Sequence, residues 1–160
     1  MAEQFHFFWS GPFSQWHPSP FVVDGVTYNC AEQYMMAGKA RLFGDTTREA
    51  MIMSTSEPLD QQRYGRMVQG FHEDKWLKHA REIVKRGSRA KYDQNPDLKD
   101  ALMATGDKTL VEASATDRLW GIGLRKQDPR AERRSSWLGM NWLGQVLTEV
   151  RDELRALETP

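Results

Sequence analysis

Residues 73–92 carry the pattern that most restricts the fold of this 160-residue chain. Trp76, Ala80, Ile83, Val84 and Gly87 fall on one stripe, with charged residues opposite. That is the 3.6-residue period of an amphipathic helix, and its apolar stripe has to be covered. Helical patterns recur at 31–43, 46–53, 59–68 and 96–104. From Gly139 onward, Leu143, Val146, Leu147, Val150, Leu154 and Leu157 keep helical spacing to the C-terminus. Strand signals are fewer and shorter. Residues 5–9 form an apolar run that ends at Gly11-Pro12, and Pro18-Ser19-Pro20 punctuates the next loop. Phe21-Val22-Val23 and Val26-Thr27-Tyr28 flank Asp24-Gly25, a strong two-residue hairpin signal. Thr109-Leu110-Val111-Glu112 reads as one more strand. With no repeat, low-complexity linker or composition break, the expectation is α+β: a single, mostly helical domain over residues 1–160 with a few short strands.

Composition narrows the function classes. Lys plus Arg equals Asp plus Glu at 22 each, so the chain lacks the net basic surface of a sequence-independent DNA coat. Six tryptophans and eight methionines are many for this length, and some are expected to line a site. A single cysteine, Cys30, allows no intrachain disulfide and argues against a structural zinc site. It reads as a buried small apolar residue in a reducing compartment. The opening Met1-Ala2-Glu3-Gln4 shows no signal-peptide pattern, and no stretch approaches the roughly 18 apolar residues of a membrane span. The expected location is the cytoplasm. The four histidines, His6, His17, His72 and His79, lack metal-ligand spacing.

Two segments carry chemistry. Thr116-Asp117-Arg118-Leu119-Trp120-Gly121-Ile122-Gly123 sets an acid three residues before a tryptophan, then two glycines that permit close backbone approach. A carboxylate, an aromatic face and exposed amides suit a nucleotide or sugar. In the other segment, a helix starting after Asn29 or Cys30 puts Glu32, Met35, Met36 and Lys39 on one face. The methionines imply that the face is covered. Burial raises a carboxylate's pKa and lowers a lysine's, as acid–base and Schiff-base residues require. Plainer roles compete. Asn29-x-x-Glu32 is a variant capping box, and Lys39 can extend past an apolar face to solvent. Asp117 suits a turn, the Gly-x-Gly pair another turn, and Trp76 and Trp120 the core. In the segment 125–134, Arg125, Lys126, Arg130, Arg133 and Arg134 outnumber Asp128 and Glu132, an excess suited to phosphates or to a solvated loop.

Read together, these motifs resemble the YbiA-like family, also called NADAR (NAD- and ADP-ribose-associated). The resemblance spans nearly the whole chain. It runs through Phe13-Ser14-Gln15-Trp16…Pro18-Ser19-Pro20-Phe21, Asp24-Gly25, Tyr28, Glu32-x-Tyr34…Lys39-Ala40, Gly65-Arg66 and Trp76. It continues through Leu110-Val111-Glu112, Asp117-x-x-Trp120-Gly121-x-Gly123, Gly139-x-Asn141-x-Leu143-Gly144 and Val150-Arg151. Two departures stand out. Gln15 and Trp16 replace the usual Asn and Phe, which implies altered substrate fit, and Trp137-Leu138-Gly139-Met140 is bulkier than the glycine- and lysine-rich form of relatives.

The resemblance implies hydrolysis of a ribose–nitrogen bond. Its substrates are ribosylaminopyrimidine phosphates of early riboflavin biosynthesis or ADP-ribose attached to guanine in nucleic acid. It places Glu32, Trp76, Asp117 and Trp120 at the active site, with Lys39 and Asn141. The expected roles are catalysis by Glu32, Asp117 and Lys39, and substrate binding by Trp76, Trp120, Gly121, Gly123, Gln15, Trp16 and Asn141. Glu32 and Asp117 would divide general-acid and charge-stabilising work, or Lys39 would form an imine. Neither route needs a metal or cofactor. The rival expectation is a non-catalytic module that binds ADP-ribose or a nucleotide. A nucleic-acid substrate would have to present its modified guanine outside the stack.

Overall fold

The computed structural model describes residues 2–158. In chain order its elements are β1 (Phe5–Phe8), β2 (Phe21–Val23), β3 (Val26–Tyr28), α1 (Ala31–Leu42), α2 (Thr46–Met53), α3 (Pro58–Gly65), α4 (Glu73–Gln94), α5 (Pro96–Met103), β4 (Thr109–Glu112) and α6 (Trp142–Glu158). Two short 3-10 turns, Pro129–Glu132 and Arg134–Ser136, lie between β4 and α6. The α+β class is as expected. The chain forms two compact units: a central one, Gln15–Asn95, and a terminal one joining residues 2–14 to residues 96–158.

In the central unit, β2 and β3 form the anticipated hairpin, with Phe21 opposite Tyr28 and Val23 opposite Val26. Asp24 and Gly25 both have positive φ, 52° and 78°, as a two-residue turn matched to strand twist requires. Helix α1 packs against α2, α3 and α4. Residues 31–37 and Ala40 of α1 are buried, so it is covered on most of its circumference rather than along one stripe. That explains why it lacks the strong amphipathic pattern of α4. Helix α4 buries Trp76, Ala80, Val84 and Gly87, as its stripe predicts, while Ile83 is half-buried. Gly87 is required by close approach, because a Cβ there would collide with the Tyr34 ring of α1. Tyr34 in turn meets Tyr28 edge to face at 4.9 Å between ring centres.

In the terminal unit, β1 pairs with β4 in parallel, from Phe5 beside Thr109 to Phe8 beside Glu112. A parallel pair needs a crossover connection, and here residues 9–108 supply it, the whole central unit included. Helix α6 packs on β4 and α5 on α6. Val111, Ile122, Leu124 and Ala131 form a buried cluster to which Phe5, Phe7 and Trp137 add. Arg151 is 2% exposed, and its guanidinium bonds Thr105 Oγ1 at 3.0 Å and the Lys108 carbonyl. Such acceptors satisfy an otherwise costly buried charge.

Candidate active site

Helix α1 positions the first set of predicted residues. Cys30 is its N-cap but makes no side-chain cap bond. The reach-back that the sequence assigns to Glu32 is made by Gln33, whose Oε1 accepts the Asn29 amide at 2.8 Å. Gln33 Nε2 also donates to the Ile52 and Thr55 carbonyls, and Gln61 donates to Asn29 Oδ1 and Thr55 O. Three buried or half-buried amides thus fix where the helix begins. Gln33 makes this reach-back one position beyond the acid of the Asn29-x-x-Glu32 pattern.

Glu32 is 3% exposed. Its amide donates to the Gln15 carbonyl at 2.9 Å, so the Gln15 backbone braces the helix start. The Gln15 side chain lies 3.9 Å from the Met35 sulfur, and Trp16 is exposed. Seven residues along the same face, about 10 Å of helical rise, stands Lys39. Its amine lies 4.7 Å from the centre of the Phe71 ring and 5.7 Å from that of buried Trp76. Burial is the main force pushing this amine below its ordinary range near 10.5; Arg66 adds to the shift and the Glu32 carboxylate opposes it. The face therefore joins a buried carboxylate to a lysine with enhanced amine character.

The remaining predicted residues belong to the terminal unit, and the structure gives several of them structural work. Asp117 Oδ1 accepts the amides of Leu119 and Trp120 at 3.0 and 2.8 Å, while Ser114 Oγ receives the Asp117 amide. Trp120 is half-buried and meets Trp142 edge-on at 5.8 Å. Gly121 is closely surrounded, since a Cβ would lie 3.0 Å from the Asp117 and Glu112 carbonyls. Gly123 has a φ of 71° and donates its amide to the Asp117 carbonyl. These glycines answer to chain packing within the loop. Asn141 is fully buried, with φ 53°. Its side chain accepts from the Glu112 amide and donates to the Leu110 carbonyl, each at 3.0 Å, lacing β4 to the start of α6. Both ends of that amide are engaged with backbone.

Sequence reasoning passed over Lys91. It is 1% exposed on α4, its amine 4.9 Å from the centre of the Tyr92 ring, and burial pushes its pKa down to about 7. Cys30 is buried and its thiol raised, as anticipated for an inert position. Among the described residues, no group of three or more His, Cys, Asp or Glu side chains could hold a metal, and no helix is long and apolar enough to cross a membrane.

The family model for the NADAR domain matches residues 7–155. The chain belongs to the NADAR domain family. It is 45% identical over 146 residues to a mimivirus protein named N-glycosidase R617, covering 88% of this chain and 86% of that one. Protein irg-1 of Caenorhabditis elegans is 36% identical over 158 residues, covering 89% of this chain and 74% of its own. N-glycosidase YbiA of Escherichia coli is 31% identical over 144 residues, covering 90% and 81%. The NMR structure of E. coli YbiA superposes with a TM-score of 0.79 at 29% identity, covering 100% of this chain and 91% of that one.

Proposed function

We propose that this NADAR chain is an N-glycosidase that cleaves a ribose–nitrogen bond with Lys39 and Glu32 as its reacting groups. The activity class is supported by family membership and by relatives named N-glycosidases that match over most of their length. The residue assignment is carried by one observation: a desolvated lysine with a lowered pKa shares a helix face with a buried carboxylate.

The chemistry follows from an amine that is neutral more often than an ordinary lysine's. The substrate's glycosidic nitrogen supplies its lone pair to form a C1=N bond as the C1–O bond of the ribose ring breaks, and the ring oxygen takes a proton. The Lys39 amine then adds to C1. The original nitrogen leaves with a proton, and a lysine imine remains. Water adds at C1 and expels the lysine, so the net change consumes one water and yields a free sugar and an amine. Glu32 moves the protons between these steps. Asp117 enters as the residue that shapes the loop carrying Trp120.

Two substrate classes fit this chemistry: a ribosylaminopyrimidine phosphate, and ADP-ribose on a guanine of nucleic acid. Both are offered in parallel, with products resolved by mass. Cleavage of one names the class; cleavage of both means recognition centred on ribose. A second arm adds borohydride during turnover, and the expected product is a reduced sugar adduct on Lys39. Turnover with no adduct, together with full activity of Lys39→Ala, overturns the lysine route. Binding of both substrates without cleavage overturns the enzyme assignment in favour of a reader of ADP-ribose.

A further inference from the structure

A second site lies wholly within the terminal unit. Residues of β1, the turn after it and two later loops enclose a cleft of about 850 Å³. Its polar wall includes His6, Ser10, Ser114, Arg125 and Lys126, and no Asp or Glu lines it. Trp9 stands at the cleft with 70% of its surface exposed, and its ring has no aromatic neighbour among the described residues. An indole left in water has lost most of what burial offers it.

The basic segment 125–134 sorts itself here. Arg130 is bound to Asp128, and Arg134 to Glu3 while it lies over the Phe5 and Trp137 rings. Arg125 and Lys126 face the cleft, and among the described residues their side chains make no hydrogen bond or ion pair. His6 is held below its usual pKa by burial first, then by Lys108 and Lys126. Two cations with no counter-charge, a wall free of carboxylates and an unstacked indole define the complement of a phosphate joined to a flat ring.

We propose that this cleft binds a nucleoside phosphate, with Arg125 and Lys126 on the phosphate and Trp9 against the base. The site goes beyond the reaction assigned to α1 and shares no residue with it. Its volume lies within the range of small-ligand pockets. The nucleotide could be free or a unit of a strand, and the chemistry of recognition is the same.

The test titrates the whole chain with AMP, adenosine, ribose 5-phosphate and a short oligodeoxyadenylate, reading tryptophan fluorescence and calorimetry. AMP is expected to saturate and to quench fluorescence, with adenosine and ribose 5-phosphate at least about tenfold weaker. Tighter binding of the oligonucleotide than of AMP assigns the site to a strand; equal or weaker binding assigns it to free nucleotide. Trp9→Ala should abolish the quench and weaken AMP about tenfold, and Arg125→Ala with Lys126→Ala should weaken it more and flatten its salt dependence. All three residues are exposed, so these variants fold, and Arg133→Ala outside the cleft serves as the charge control. AMP and oligonucleotide that fail to saturate, or affinities unchanged in both variants, overturn the proposal. Lys39→Ala should bind AMP normally, so loss of turnover at α1 and loss of this site are read separately.

Discussion

Replacing Lys91 by methionine should stabilise the protein, and the gain should shrink as the pH rises. The lysine is 1% exposed, and its pKa falls from 10.5 to about 7, with burial as the leading cause. Between those values the unfolded chain holds a proton that the folded chain has given up, so stability rises with pH across the window. The sign is that of a depressed base: the penalty is full below the folded pKa and vanishes above the unfolded one. Integrating over the shift gives a penalty of about 4 kcal/mol at pH 7 and about 2 kcal/mol at pH 9. Methionine is of similar length and carries no proton, so Lys91→Met removes that dependence while keeping the packing. Cys30 opposes the shift, and burial raises its own thiol above the ordinary range, while His17 feels the same lysine charge. Urea unfolding of both proteins at pH 7, 8 and 9 measures the difference. A difference that stays constant with pH, or a variant less stable at pH 7 than the parent, refutes the account of Lys91 as a buried, unfavourable charge.

Other residues yield sharper readouts of function. Log kcat should rise with pH and level off below 10.5, because the Lys39 amine is already depressed; Glu32→Gln should move that plateau lower still, since it removes the charge opposing the shift, and slow turnover about a hundredfold or more. Asp117→Asn keeps the oxygen that receives two amides and should leave folding and rate near normal, whereas Asp117→Ala should destabilise by about 1–2 kcal/mol in urea unfolding. A hundredfold rate loss in the Asn variant would return Asp117 to the acid–base pair. Gly87→Ala should cost about 1–3 kcal/mol by forcing α4 off the Tyr34 ring, with the midpoint of thermal unfolding as the measure.

Periodicity made most of the helices legible. The limits of α2 and β4 agree with the pattern, and the Asp24-Gly25 turn formed where two positive φ angles were needed. The pairing of β1 with β4 was not legible, because no local signal links residues so far apart in the chain. The division into two units also left no trace in composition. The chain passes between them at residues 14–15 and 95–96 without a linker. At α1, the Glu32–Lys39 face could be read from spacing, but the capping register turned on which of two adjacent side chains reached back, and Gln33 did. Lys91 looked like one charge among many on α4, because the burial that shifts it comes from tertiary packing. Trp9 was hidden for the opposite reason: an apolar run implies a covered strand, and the indole at its end is bare.

The parallel pairing of the first and last strands sets an order of events during synthesis. β1 emerges from the ribosome roughly 100 residues before β4, which at cellular elongation rates is a wait of about 5–20 s. Throughout that interval its backbone donors have no strand to meet, while the central unit, contiguous in the chain, has all of its own residues available to fold. The terminal unit can close only after synthesis has passed residue 112, so a stalled or truncated chain would carry a folded middle and an unpaired, aromatic-rich leading strand.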